Sequence, residues 1–411
     1  MTDVNLDKKE SKARTVHAYH LMQNKDFLLL ISAQAISNFG DGIYMLGLLW
    51  AVKLLTASGT SMSFVLIAET LPTVFLGIIA GVFIDRGRKK FFMIVSDLVR
   101  AFIIVCVAVL WQFHLMSIWI FICSAFIMAC FSTFFSPARA VALRTVVAEE
   151  DYQKAMSISQ TIQTIISLIA PAISGILIAI NVELTFYFDG MTFLISFALI
   201  CCLHNKSLTV TSTGTQSFLS IKSSLKEGFQ AVLTISLLRN MILFMLFLNI
   251  ILSPIEVLVP LYANNVTYMA IFESVFTFGM LLGAIIAGFM GKVKRVISLC
   301  TGLFLIMISF GGLFVVHSPI LAGCLFLGAG VGAPITNITM STIFTLNVPR
   351  HVLGRASSIV QVIITGANPL ALAVTGVLLV HFTIRDMFLF ISLLGLLVVI
   401  LMIWNKSVRT A

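Results

Sequence analysis

Four acidic side chains sit where charge is expensive. Asp41, Glu69, Glu256 and Glu273 all lie inside long apolar runs. An ionisable group at the centre of a bilayer costs about 2.5–3.5 kcal/mol on insertion scales, so each needs a partner, water or a task. Carboxylic acids suit proton coupling, because burial disfavours their charged form and hydration restores it. They also attract cationic ligands. Asp41 and Glu69 fall near the middle of the first and second runs, whereas Glu256 and Glu273 lie two turns or less toward the outside, where a cavity mouth would hydrate them. Each of the first pair has a competing role. Asp41 stands between Gly40 and Gly42 and could cap or bend a helix, and Glu69 precedes Pro72 by three residues and could bond backbone that the proline frees. Asp97 and Arg100 are spaced i,i+3 toward the basic end of the third run and read as a local structural pair. Glu183, Asp189, Arg385 and Asp386 fall near outer ends of their runs, where no special role is needed. None of the seven histidines is mid-run, which argues against a histidine relay.

No cofactor is implied. The seven cysteines all lie in apolar runs without metal-ligand spacing and read as small packing residues. There is no nucleophile motif and no phosphate-binding loop, so neither an enzyme nor an ATP-driven pump is expected.

The elements that carry these acids follow from composition. Of 411 residues 59% are hydrophobic and 10% charged, with a mean hydropathy of +1.07. A soluble domain carries about 25% charged residues, so the chain reads as an all-α integral membrane protein. Twelve apolar runs are long enough to cross about 30 Å of hydrocarbon. They divide into a six-helix bundle over 27–204 and another over 239–404, joined by a Ser/Thr-rich linker at 205–238 and flanked by tails at 1–26 and 405–411. Residues 1–25 are polar and basic, which predicts a tail rather than a cleavable signal peptide. Of the 26 Lys and Arg residues, 23 fall in alternate segments on one side. The positive-inside rule then puts both termini in the cytoplasm of a multi-pass cell-membrane protein. Bases scattered over short loops build no face for nucleic acid. The halves also repeat: Ser159, Gln163, Ile165, Ile166 and Pro171 recur as Ser357, Gln361, Ile363, Ile364 and Pro369, each displaced by 198 residues. A duplicated unit places a binding cavity between the halves near the midplane, with alternating access by rocking. Pro72, Pro171 and Pro369 are the expected helix bends.

One short turn is the most specific motif. Gly81, Asp85, Arg86, Gly87, Arg88, Lys89 and Lys90 form GVFIDRGRKK between the second and third runs, an acid among four bases. It resembles the loop signature of the major facilitator superfamily. A second copy, GFMGKVKR from Gly288, keeps the glycine and bases but has no acid. SAQAISNFGDGIYMLGLLWAV from Ser32, FSPARAVALRTVV from Phe135 and the Pro-Leu-Tyr at 260–262 resemble the drug:proton antiporter-3 branch, the macrolide-efflux type. That resemblance implies a monomeric secondary exporter of small amphipathic molecules, driven by protons and conferring drug resistance. It also implies that Asp85 contacts Arg139 or Arg144 and the start of the eleventh helix, closing the cytoplasmic side. Neighbouring antiporter branches carry an arginine in the fourth helix where this chain has Met128, and the glycine–proline motif of the fifth is reduced to Ala170, Pro171 and Gly175. Two other readings compete: an exporter or flippase of an endogenous amphiphile such as a siderophore or lysolipid, and a non-transporting membrane sensor.

Overall fold

A computed structural model describes residues 21, 23–205, 208, 236–348 and 353–404, and every regular element among them is helical. The first half holds α1 (Lys25–Thr56), α2 (Gly59–Arg86), α3 (Lys89–Gln112), α4 (Ile118–Val146), α5 (Tyr152–Ile180) and α6 (Glu183–Cys201). The second holds α7 (Ser236–Leu252), α8 (Ile255–Tyr262), α9 (Val266–Phe289), α10 (Arg295–Val315), α11 (Pro319–Asn347), α12 (Leu353–His381) and α13 (Ile384–Trp404). Helices α7 and α8 share one span, so the described residues cross twelve times. Turn chemistry starts several helices where the apolar runs begin. Asn24 caps α1 at Phe27 N, Asn265 caps α9 at Tyr268 N, and Ser58 and Ser117 do the same for α2 and α4.

Pro72, Pro171 and Pro369 lie inside continuous helices. Among the described residues a break within a span falls at Ser253 and Pro254, between α7 and α8. Proline has no N–H to donate, and the serine hydroxyl reaches across to the Asn368 side chain on α12. The cysteines are a second difference. Cys123, Cys201, Cys202 and Cys324 are exposed, so these four do not fill the core, whereas Cys300 packs against it.

Without water to drive helices together, close approach through small residues does much of the packing. A Cβ at Gly40 of α1 would collide with Thr192 Oγ1 of α6, and one at Gly47 with Thr185 Oγ1. The second half uses Gly279 and Gly283 of α9 in the same way against the α11 backbone.

The halves meet through two equivalent interfaces, α2 on α12 and α5 on α9. Call the side carrying the α2–α3 turn the basic face. The tightest cross-half contacts lie toward the other side, the far face. There Thr60 Oγ1 donates to Gly376 O at 2.7 Å, and a Cβ at Gly175 would collide with Ala270 Cβ. Lys53 Nζ donates to the carbonyls of Pro260 and Ala263 and stands 4.7 Å from the Trp50 ring. Toward the basic face, Gln160 and Thr164 of α5 and Ser357 and Gln361 of α12 are exposed. Amides inside apolar spans need water, so a crevice between the halves opens on the basic face.

Candidate functional site

The first half keeps its charge in a dry cluster. Arg100 on α3 is 2% exposed, its guanidinium held between the rings of Phe135 at 4.8 Å and Phe193 at 4.2 Å. Its Nη2 donates to Asp97 Oδ1 at 2.6 Å, and the other Asp97 oxygen accepts from Ser196 Oγ at 2.6 Å. Asp97 is therefore satisfied on both sides. Asp41 is the loose member: Oδ1 stands 3.7 Å from Arg100 Nη1, and the side chain is 43% exposed. Asp189 of α6 is fully buried behind Gly40, with Oδ1 3.3 Å from Thr192 Oγ1 and Oδ2 without a partner among the described residues. In the same half, Glu69 of α2 has a buried Oε2, also without a partner among them.

The second half keeps space instead. A chamber of about 270 Å³ lies inside the bundle, walled by Phe272, Phe276, Phe310 and Phe326, with Glu256 and Glu273 on its surface. Phe272 and Phe326 stack with centroids 4.8 Å apart. A second chamber of about 500 Å³ is lined by Asn249, Ser253, Thr336, Asn337, Gln361 and Asn368. Glu256 borders both. One chamber suits an apolar group beside a carboxylate, and the other suits a group that exchanges hydrogen bonds with amides.

Comparison with known proteins decides the family. The profile of the Major Facilitator Superfamily matches residues 30–364. The chain belongs to the Major Facilitator Superfamily. It is similar to the multidrug efflux pump Tap of Mycolicibacterium fortuitum, at 27% identity over 93% of this chain and 96% of that protein. It is also similar to macrolide efflux protein A of Streptococcus pyogenes, at 23% identity over 85% and 88%. Among solved structures, the nucleoside transporter NupG superposes with a TM-score of 0.73 at 13% identity, covering 92% of this chain and 98% of that one. The likeness to NupG shows the fold. The chain is thus a multi-pass membrane transporter and not an enzyme, with relatives of the drug-efflux type.

Within this MFS fold the expected site residues separate. Asp41 of the first half is 43% exposed and Glu69 beside it has one buried oxygen, whereas Glu256 of the second half borders both chambers. Glu273 stands one layer deeper, in the aromatic chamber. Helix α1 runs unbroken through Asp41, so Asp41 caps no helix end, and Thr70 next to Glu69 donates to Leu66 O at 2.9 Å. In the MFS loop signature, Gly81 has open space beside it and Gly87 ends α2. Arg88 is exposed and Lys89 buried. The side chains of Asp85 and Arg86 lie outside the described residues, as does the linker from 209 to 235. Arg139 is half-buried and acts electrostatically on Asp41, whereas Arg144 is exposed.

Sequence reasoning missed two members. Asp189, placed near an outer end without a role, is fully buried against α1. Arg100, read only as a local partner of Asp97, also reaches Asp41. Met128 is a core residue at 5% exposure, so the cluster's guanidinium comes from α3 rather than α4. The available signal was an arginine far from any loop, whose partners on α1 and α6 only the tertiary fold supplies.

Proposed function

We propose that the chain is a secondary active exporter of lipophilic or amphipathic drugs, working by alternating access with proton antiport. The observation that carries this reading is the division across the crevice: titratable acids on one wall, and on the other an amide-lined chamber joined at Glu256 to an aromatic one. An amphiphile has the two kinds of surface that these chambers offer. The activities for which the macrolide and multidrug efflux relatives are named support a drug as cargo.

The loop charges support a cytoplasmic basic face, and with it cytoplasmic termini. The crevice is then inward-facing. Export proceeds by loading cargo from the cytoplasm, releasing the proton there, rocking the halves and exchanging cargo for a proton outside. Asp41 is the first choice for the proton carrier and Glu69 the second, because both reach the crevice and neither is hydrogen-bonded to a cation among the described residues. Asp85 serves as the basic-face latch through Arg139 or Arg144 when that side closes, by a charge-assisted bond near a helix terminus.

Two experiments test the reading. A drug-susceptibility panel in cells with and without the gene should show protection against lipophilic drugs; protection against none, with accumulation of a lysolipid or siderophore in the gene's absence, would favour an endogenous cargo. In proteoliposomes under an imposed pH gradient, Asp41→Asn should abolish accumulation of a macrolide while leaving its binding largely intact. Retention of the pH-driven rate by Asp41→Asn, Glu69→Gln and the double variant would place the proton site elsewhere.

A further inference from the structure

Three carboxylates surround one guanidinium in the first half. Arg100 can neutralise one of them, and burying the charge of the rest is costly. The three acids are not equivalent. Asp97 is fully buried and takes both a 2.6 Å bond from Arg100 and a 2.6 Å bond from Ser196. Asp189 is fully buried with no bond to a cation among the described residues. Only Asp41 reaches the crevice, at 43% exposure, and its 3.7 Å approach to Arg100 is too long for a hydrogen bond. We propose that Asp97 is a positioning residue: it holds Arg100 just short of bonding distance from Asp41, so that the carboxylate facing the crevice can exchange a proton with water.

The competition for one cation explains why the loose contact is useful. A full bidentate bond from Arg100 to Asp41 would fix Asp41 in its ionised form. With no cation nearby, a dry carboxylate would be fixed in its neutral form. Asp97 avoids both ends. It also keeps Arg100 paired when Asp41 takes a proton, so protonation never leaves a buried guanidinium without its counter-ion. The guanidinium also lies over the rings of Phe135 and Phe193, which limits its movement. The other groups that act on Asp41 are Arg139 from α4, Asp189 from α6 and Glu69 from α2, with Tyr44 on α1 itself. None of these four bonds Arg100, so the Asp97–Arg100 pair is the adjustable part.

This inference rests on the proton-antiport reading but has a test that needs no cargo. Infrared titration of the purified full chain in nanodiscs, from about pH 5 to about pH 9, follows protonated carboxyl bands, and the band lost in Asp41→Asn belongs to Asp41. In Asp97→Asn, Arg100 is left with Asp41 as its partner, and the midpoint of that band should move down by about one pH unit or more. Ser196→Ala, a milder change that weakens the hold of Asp97 on Arg100, should move it in the same direction by less. It serves also if Asp97→Asn does not fold. Asp97→Glu should restore much of the wild-type midpoint. If Asp97 and Arg100 only brace the helices, these variants lower the melting temperature and leave the midpoint in place, which overturns the proposal. A wild-type Asp41 band with no titration in the window overturns both the proposal and Asp41 as the proton carrier. An Asp41 midpoint unmoved in every variant, with pH-driven transport still lost in Asp41→Asn, overturns the proposal alone.

Discussion

Gln163 and Gln361 occupy equivalent positions of the duplicated unit, yet their amides do different things. In the first half, Gln163 accepts from Asn38 of α1, and its neighbour Ser159 accepts from Gln34 at 2.8 Å. In the second half, Gln361 bonds Thr365 of its own helix at 3.2 Å and lines the larger chamber. The first copy uses its polar groups to lock α5 to α1. The second leaves them facing open space. The buried ion pair of Arg100 and Asp97 sits in the first half, whereas Glu256 and Glu273 of the second border cavities. Duplication gave two similar frames, and the polar positions then diverged, bonded between helices in one half and facing open space in the other.

The loop signature is where one half carries an acid and the other does not, and the largest effect is expected there. Asp85 has no acidic equivalent in the copy from Gly288 to Arg295. Asp85→Asn should lower transport about fivefold or more, with insertion and folding retained, because closure of the basic face loses its charge-assisted latch. Spin-label distances across that face should lengthen. Normal transport with an unchanged distance distribution would show that the asymmetry between the two loops carries no function.

Packing offers the next contrast. Gly40→Ala should destabilise the first half by about 1–3 kcal/mol, since its Cβ would collide with Thr192 and Asp189. Gly77→Ala, with nothing within 4 Å of its Cβ, should not. Thermal unfolding of both variants in detergent measures the difference. Equal melting points would mean that α1 and α6 are not held at close quarters.

Much of this frame was legible in the sequence. The twelve spans, the two bundles and the repeat at 198 residues follow from apolar length and self-similarity, signals that tertiary contacts cannot override in a bilayer. The crevice acids were legible because charge in hydrocarbon demands a reason. The cluster around Arg100 was not, since Asp41, Arg100 and Asp189 come from three helices and their meeting depends on glycine-permitted approach. The break at Pro254 was equally hidden. Six of the nine prolines lie inside described helices without interrupting them, so proline alone does not say which span divides.

Lys53 tests whether the halves are held apart or together at the far face. It sits on α1 yet donates to carbonyls at the end of α8. Lys53→Met keeps the apolar stem and removes the donors, so the far face should open more readily and the mean label distance there should increase. The expected change in population is a few-fold, the equivalent of about 1 kcal/mol for two partly exposed bonds. No change would mean that Gly175, Thr60 and their partners close that face unaided.

The smallest effect is expected at Glu273, and it bears on the division most directly. Glu273 lies in the aromatic chamber, away from the Arg100 cluster, and its backbone carbonyl accepts from Thr277 at 2.9 Å. If the second half makes room for cargo while the first handles charge, Glu273→Gln should change which molecules bind and not how transport is driven. A cationic macrolide loses one carboxylate near its amine, and its apparent affinity should fall about two- to fivefold, the scale of one partly solvated charge contact. An uncharged macrolide of similar size should bind as before, because the four phenylalanines that wall the chamber are untouched. The dependence of transport on the imposed pH gradient should also stay that of the wild type. Two measurements separate the possibilities: equilibrium binding of the two ligands, and initial rates at several gradients. Loss of gradient dependence in Glu273→Gln would move proton handling into the second half and dissolve the contrast between the two.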